Sequence, residues 1–133
     1  MHLPAGTWVS GTLHLRSDIT IDLAPGAVLL GSPDRDDFAP HAKNSFESKS
    51  RVETIDFARA LLAGHDLERI TIRGAGVIDM NRDRRYGPKP IALERCRFAT
   101  VQGITIVRSP SYCVSLGGCE DVLTTGPSEV ARR

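Results

Sequence analysis

Cysteine, an excess of charge of one sign and long apolar runs are all scarce in this sequence of 133 residues. Its three cysteines are an odd number with no CxxC pair, which excludes a disulfide-dense scaffold and a standard zinc site. The 17 basic and 16 acidic side chains leave a net charge of +1, which argues against a protein dedicated to nucleic acid or to a membrane surface. No apolar run approaches the ~18 residues that span a bilayer, and the turn signal at 3–6 follows Met1 without a signal-peptide pattern.

Short apolar runs separated by turn residues make up most of the chain. The runs are rich in Ile, Val, Leu and Thr, several alternate with polar residues, and all are too short for a helix, so they predict β-strands. Glycine and proline, of which there are 12 and 8, punctuate these runs. The predicted strands are 12–15, 19–23, 27–30, 70–72, 77–78, 104–107 and 114–116.

A fixed period links the runs in the second half of the chain. The interval from Cys96 to Cys119 equals the interval from Gly103 to Gly126, so each cysteine is followed by a glycine at the same distance. Leu67 is followed by a glycine at that distance too, but its interval to Cys96 is longer. The surplus of about six residues fits the loop 81–87. A repeat in the low twenties predicts a solenoid with three short strands per coil, because one coil cannot bury its apolar face alone and must stack on another.

The segment 34–59 interrupts the repeat because it is polar and charged. We interpret it as an insertion loop with a helical turn near 52–62. Asp34, Asp36 and Asp37 form an acidic cluster whose oxygens could coordinate Ca²⁺. An ordinary loop is the preferred interpretation of this cluster.

The repeat gives Cys96 and Cys119 the same position in successive coils. Adjacent coils are separated by about one strand spacing, ~4.8 Å, so the two side chains are expected to stack on one line. Small buried thiols are the simpler interpretation, and a disulfide between them stays open. Cys113 has no histidine or other base placed near it by the repeat, so it is not a candidate nucleophile.

Several stretches of the sequence resemble the polygalacturonases, glycoside hydrolase family 28. The stretches are LPAGTWVSGTL at 3–13, ITIDLAPGAVLLGS at 19–32, ITIRGAGVID at 70–79, ITIVRSP at 104–110 and CEDV at 119–122. The resemblance implies an all-β fold, a right-handed parallel β-helix, of which this chain has an incomplete set of about four coils. It divides the chain into a partial β-helix domain at 1–126, with the insertion 34–59, and a tail at 127–133 that departs from the family pattern.

The catalytic motifs of this family do not occur in the chain. Family members hydrolyse glycosidic bonds with inversion, and their carboxylates lie in Asn-Thr-Asp-Gly and Gly-Asp-Asp motifs, with Gly-His-Gly and Arg-Ile-Lys further along. The resemblance therefore implies the N-terminal part of a hydrolase that acts on O-glycosyl bonds of pectin-type polysaccharide. No catalytic residue is expected in this chain, and the chain alone is predicted to be inactive. Such enzymes usually act outside the cytoplasm.

A glycan-binding surface is predicted on the strand that precedes the cysteine position of each coil, where the family has its cleft. Lys89 and Tyr112 each lie seven residues before that cysteine, so the repeat stacks them, and Arg108 is close in sequence. Lys or Arg would suit the carboxylate of an acidic sugar, and Tyr would suit its ring face. The alternative is that Tyr112 packs inward and Lys89 is merely exposed.

The other charged groups have simpler interpretations. Asp66, Glu120 and Asp121 flank turns of the repeat and are interpreted as solvated turn carboxylates. The arginine-rich loop 81–86 is interpreted as a solvated loop rather than a nucleic-acid contact. The four histidines show no metal spacing, so neither a metal nor a cofactor is predicted.

Two other functions stay open at this point. One is a non-catalytic module that binds an acidic glycan or caps another β-helix, and the other is a degenerate gene product, which the tail after Gly126 favours. A pectin- or galacturonan-type polysaccharide is the expected partner of the parent enzyme, with no nucleic acid and no membrane. The open strand edge of the C-terminal coil is expected to invite self-association.

Overall fold

Apolar and polar side chains alternate with a period of two along the short segments of this chain, and these segments form β-strands. The computed structural model describes residues 1–38, 59–82, 87–109, 114–125 and 128–132. Within these residues there are fourteen strands and one 3-10 turn. The strands are β1 (His2–Leu3), β2 (Gly6–Ser10), β3 (Leu13–His14), β4 (Thr20–Leu23), β5 (Ala27–Gly31), β6 (Ala60–His65), β7 (Glu68–Gly74), β8 (Val77–Asp79), β9 (Lys89–Glu94), β10 (Arg97–Gln102), β11 (Thr105–Ser109), β12 (Val114–Gly117), β13 (Glu120–Thr125) and β14 (Ser128–Arg132).

The strands assemble into three parallel sheets. Sheet A has the order β1-β4-β7-β10-β13, sheet B the order β14-β11-β8-β5-β2, and sheet C the order β12-β9-β6-β3. The chain visits sheets A, B and C in turn, so three strands make one coil and each coil pairs with the next. The all-β, right-handed parallel β-helix predicted from the repeat and the family resemblance is confirmed. In the part of the chain that the structure describes, no helix is long and apolar enough to cross a membrane.

The pairing register reproduces the spacings found in the sequence. In sheet A, Arg97 pairs with Glu68 of the preceding coil, at the same offset as Cys96 from Leu67. Arg97 also pairs with Glu120 of the following coil, at the same offset as Cys96 from Cys119. Most of the difference between the two offsets lies between β8 and β9, where the sequence predicts a longer loop. Of that loop, residues 83–86 are outside the described residues.

Columns of inward-facing side chains, one residue per coil, form the core. One column on sheet B consists of Leu29, Ile78 and Ile106, and none of the three is more than 2% exposed. Strands ~4.8 Å apart bury each of these side chains against the coils on both sides. Burying one such side chain stabilises the fold by roughly 1.5–3 kcal/mol, so each coil depends on its neighbours.

Cys96 and Cys119 lie in adjacent coils, as the repeat predicts, and both are free thiols. Cys96 is fully buried, and its backbone N–H donates to the sulfur of Cys119 at 3.4 Å. The Cys119 thiol contacts the carbonyl oxygen of Leu93 at 3.4 Å. Burial raises the pKa of the Cys96 thiol, which keeps it protonated and unreactive.

The helical turn predicted near 52–62 is wrong over its last three residues, because Ala60–His65 forms β6. This strand pairs with β3 on one side and β9 on the other. The run of apolar residues is compatible with a helix when it is considered locally, and pairing on both sides decides for a strand. Residues 52–58 lie outside the described residues.

The start of the predicted insertion is a closed turn. The Asp34 carboxylate accepts a hydrogen bond from the Asp36 N–H at 2.9 Å, and the Asp37 carboxylate accepts one from the hydroxyl of Ser32. The 3-10 turn Arg35–Asp37 is thus held by its own acidic residues, which agrees with an ordinary loop. The remainder of the insertion, 39–58, lies outside the described residues.

The segment 127–133, predicted to be an off-pattern tail, contains β14. This strand pairs in parallel with β11 through an irregular register, and it adds an outer strand to sheet B. The division of the chain into a partial domain and a tail stays a prediction.

Aspartate–arginine pairs connect successive coils at the turns between sheets C and A. Arg95 donates from Nε and Nη2 to the two carboxylate oxygens of Asp66, at 2.8 and 3.1 Å, and Arg69 forms the same arrangement with Asp18. All four residues have a positive φ. The hydrogen bonds from the arginines lower the pKa of Asp66 and Asp18 below the ordinary value of 3.8. These exposed pairs align the turns more than they stabilise the fold.

Gly74 is a position where the stacking of coils leaves no room for a side chain. It has a φ of +125°, and a Cβ at this position would lie 2.1 Å from the carbonyl oxygen of Leu23 in the preceding coil. Gly118 also has a positive φ, +67°, but a Cβ there would make only an ordinary contact of 3.6 Å with Cγ of Arg95.

We predict that Gly74→Ala lowers the free energy of unfolding by at least ~3 kcal/mol, because the coils must move apart and the backbone is also disfavoured for alanine. Gly118→Ala is the matched control, and it should lower the same quantity by about 1 kcal/mol, for its left-handed conformation alone. Urea unfolding followed by circular dichroism measures both. Equal losses for the two variants would contradict the contact with Leu23.

Candidate functional site

Lys89 begins β9 in sheet C, and it is buried despite its charge, with 8% of its surface exposed. Its backbone N–H donates to the carbonyl of Arg59 at 3.0 Å, and its register neighbour Ala60 packs outside the main core cluster. Burial lowers the pKa of the Lys89 ammonium, and the negative charge of Glu94 opposes this effect. A partly desolvated ammonium is stabilised by an anion that comes close to it, which is the property that a site for acidic sugars needs.

Arg108 lies near the end of β11, on a strand that contacts β9. Its guanidinium donates from Nε and Nη2 to the carboxylate of Asp79, at 2.9 and 3.0 Å. Asp79 also accepts a hydrogen bond from the N–H of Asn81 at 2.9 Å. About half of the Arg108 side chain is exposed, so a second anion can approach it, but its charge is already balanced by Asp79.

The structure therefore places two of the three predicted glycan contacts on adjoining strands, and their side chains differ in exposure. Lys89 is buried and Arg108 is exposed and paired. Tyr112 lies outside the described residues. β12 pairs with β9 so that Val114 is opposite Ile91, and this offset equals the spacing between Lys89 and Tyr112. The binding role of these three residues stays a prediction.

Two more arginines, Arg59 and Arg82, contact the buried residue Phe38, and Arg59 lies next to Lys89. Arg59 donates from Nη1 to the carbonyl oxygen of Phe38. The guanidinium of Arg82 lies 5.4 Å from the centre of the Phe38 ring, and it donates to the carbonyl oxygen of Ser32 at 2.9 Å. Both arginines therefore hold the end of β5 and the turn that follows it against the β-helix.

Sequence reasoning missed Arg59 and interpreted Arg82 as part of a solvated loop. The longer spacing of the repeat was a signal for Arg59. This spacing places Ala60 opposite Lys89 in sheet C, and the preceding residue, Arg59, therefore lies next to Lys89. The expectation of a helical turn at 52–62 hid that signal. Arg82 had no comparable signal, since its partner Phe38 lies far earlier in the sequence and outside the repeat.

Several carboxylates on the coils are bound by arginines. Asp18, Asp66 and Asp79 each accept two hydrogen bonds from one arginine. Glu120 is exposed and lies 3.6 Å from Nε of Arg97. A general acid for glycoside hydrolysis needs a raised pKa, and the pKa of Asp18 and of Asp66 is lowered. These groups therefore serve the turns and do not supply an acid.

Potential metal ligands are dispersed over the coils. Across residues 1–38, 59–82, 87–109, 114–125 and 128–132, no three His, Cys, Asp or Glu side chains come together in a way that could hold a metal ion. Asp34 and Asp37 take part in the closed turn described above.

Comparison with known proteins gives one sequence match of note. The chain is 36% identical over 87 residues to an exo-poly-alpha-D-galacturonosidase of Dickeya chrysanthemi, over 62% of this chain and 14% of that protein. The chain thus matches about one seventh of the length of this curated relative. No family model matches the sequence.

Comparison with solved structures supports the fold. A provisionally assigned glycosyl hydrolase from Parabacteroides merdae superimposes with a TM-score of 0.74 over 99% of this chain and 60% of the other, at 20% sequence identity. At that identity the likeness shows the shared fold alone. The sequence match, however, confirms the resemblance carried by the coil motifs: this chain is similar to the polygalacturonase-like glycoside hydrolases.

Proposed function

We propose that this chain is the N-terminal part of a polygalacturonase-like glycoside hydrolase whose parent cleaves O-glycosyl bonds of a pectin-type polysaccharide with inversion. The observation that carries the proposal is the 36% identity over 87 residues to the exo-poly-alpha-D-galacturonosidase. The β-helix and the order of the coil motifs along the chain support it.

On this proposal the chain by itself is inactive. Inverting hydrolysis requires one carboxylic acid and one carboxylate about 6.5–9.5 Å apart. Asp18 and Asp66 are kept ionised by their arginines, and Asp79 is bound by Arg108. The sequence also carries none of the family's four catalytic motifs. The reacting carboxylates of the parent would therefore come from other coils.

The second candidate function is a non-catalytic module that binds an acidic glycan. The observation that favours it is the buried ammonium of Lys89, because an approaching carboxylate would offset the loss of hydration that lowers its pKa. We assign Lys89 and Arg108 to the carboxylates of the glycan and Tyr112 to a sugar face. In the parent enzyme, the same three residues would hold the polysaccharide next to the catalytic coils.

Polygalacturonate hydrolysis tests the function proposed for the parent enzyme. We expect the 133-residue chain to release no reducing ends above a blank. A longer product of the same coding region that carries the Asn-Thr-Asp-Gly and Gly-Asp-Asp coils should release them. The reducing-end assay measures both. Hydrolysis by the short chain would contradict its predicted inactivity, and a folded longer product without hydrolysis would contradict the parent function.

Removing one contact should weaken binding of an oligogalacturonide. Lys89→Met is expected to raise the dissociation constant at least about tenfold, since a charge-assisted hydrogen bond contributes ~1.5–3 kcal/mol. Tyr112→Ala should raise it as well, because it removes the aromatic ring assigned to a sugar face. Isothermal titration calorimetry measures the constant. Arg73→Met, which removes one exposed positive charge from sheet A, is the control and should change it less than about twofold. Unchanged affinity after both test substitutions would remove Lys89 and Tyr112 from the site.

The lowered pKa of Lys89 should be visible in the pH dependence of stability. Between the lowered folded-state value and the ordinary value of 10.5, the unfolded chain binds more protons at Lys89 than the folded chain does. The free energy of unfolding of the natural chain should therefore rise with pH in this window, relative to Lys89→Met. Urea unfolding of both proteins at pH 7 and pH 10 measures the difference. A difference that is the same at both pH values would contradict the desolvated ammonium.

A further inference from the structure

Phe98, on β10, exposes an aromatic side chain to solvent, with 46% of the residue accessible. The other exposed large apolar side chains of the described residues lie on, or next to, the first or last strand of a sheet. β10 differs from those strands, because it pairs with β7 on one side and with β13 on the other. The exposure of Phe98 is therefore a property of the outer surface and does not depend on what lies beyond either edge of the sheet.

The backbone holds this side chain in a conformation that is disfavoured for an aromatic residue. Phe98 has a φ of +57°. Arg69 and Asp121 occupy the same position in the preceding and following coils, and they have a φ of +59° and +55°. The repeat thus imposes the left-handed conformation here, which glycine, asparagine and aspartate tolerate best. A bulky apolar side chain at this position adds backbone strain and stays half exposed, so the fold alone does not explain Phe98.

Arg97 provides hydrogen-bond donors beside the aromatic ring. Its guanidinium carbon lies 5.1 Å from the centre of the Phe98 ring, so it covers one of the two ring faces at most. Carboxylate oxygens of Glu120 and Glu68 lie 3.6 and 3.7 Å from its nitrogens, which is beyond hydrogen-bond distance. These long contacts leave the N–H groups of Arg97 able to donate to the hydroxyl groups of a ligand.

Carboxylates outnumber arginines around the ring. Arg69 donates to the carboxylates of Asp18 and Glu68. Glu120 and Asp121, both exposed, are the neighbours in the following coil. An excess of negative charge disfavours an acidic sugar at this surface, while carboxylate oxygens accept hydrogen bonds from hydroxyl groups. The surface therefore suits an uncharged ligand that has hydroxyl groups and one apolar face.

We propose that Phe98 and Arg97 form a binding site for an uncharged saccharide, separate from the site assigned to Lys89. The C–H groups on one face of a pyranose ring carry small positive charges, and they pack against the negative face of an aromatic ring. Arg97 donates to a sugar hydroxyl, and the carboxylates of the following coil accept from others. A saccharide fits better than an apolar protein segment, because one aromatic ring among charged side chains offers too little apolar surface to a protein.

Nuclear magnetic resonance titration of the natural chain with two matched tetrasaccharides tests this site. One is tetragalacturonate, and the other is its carboxyl-reduced form, which keeps the linkages and loses the charges. The ring resonances of Phe98 are identified by their absence from the spectrum of Phe98→Asn. The uncharged form should shift these resonances with a dissociation constant in the millimolar range, and tetragalacturonate should shift them less than about a third as far. No shift with the uncharged form, or equal shifts with both, would overturn the proposal.

Substitutions at position 98 test the role of the ring. Phe98→Asn removes the ring and keeps the backbone, because asparagine adopts the left-handed conformation readily. It should raise the dissociation constant of the uncharged tetrasaccharide at least about fivefold, whereas Phe98→Trp should stay within about threefold of the natural chain. Leu123→Asn is the matched control, since Leu123 is another exposed apolar residue of sheet A, and it should change the constant less than about twofold. Unchanged affinity in Phe98→Asn, or an equal loss in the control, would contradict the assignment.

The same pair of ligands separates this inference from the proposed function. Tetragalacturonate tests the acidic-glycan site at Lys89, and its uncharged form tests the site at Phe98. Failure of tetragalacturonate to bind would count against the Lys89 site and leave the response of Phe98 to be read independently. A Phe98 ring that does not respond to the uncharged form would overturn the present inference and leave the Lys89 site unaffected.

Discussion

The stacking of one coil on the next, with strands in parallel register, is the constraint on which the rest of this structure depends. A short strand is not stable alone, and here each inner strand has neighbours on both sides. The same register carries the inward side chains into continuous columns, so pairing and core packing cannot be separated. The same register also restricts which residues the turns can hold. A Cβ at Gly103, for example, would lie 2.7 Å from the carbonyl oxygen of Gly74 in the preceding coil.

The outer surface follows from the same repetition. Residues at equivalent positions of successive coils are close in space, so charges of opposite sign at these positions form pairs such as Asp66 with Arg95. The arginines lower the pKa of Asp66 and Asp18, which suits a scaffold and does not suit acid catalysis. Lys89 differs from them, because it is buried at the start of sheet C and its pKa is lowered by burial. Such a chain can bind a ligand through side chains on the outer surface of its coils.

Much of the fold and part of the candidate site could be predicted from the sequence. The alternating runs gave correct strands at 27–30 and 70–72, and the two spacings that meet at Cys96 are the pairing offsets of the sheets. The strand at Ala60–His65 was missed, because no local pattern distinguishes an apolar run in a strand from one in a helix. Arg59 was missed for the same reason, since its position becomes apparent only once this strand is paired.

The sequence by itself determined the repeat, the strand class of the short apolar runs and the similarity to the polygalacturonase-like glycoside hydrolases, because periodicity and motif order are properties of the chain alone. Only the tertiary structure decided that Lys89 is buried and that Arg108 is bound to Asp79. Burial and pairing depend on groups from other coils, which lie a full turn of the solenoid away along the chain. The environment of a side chain in a solenoid is set by the neighbours above and below it, and these are known only when the coils are stacked.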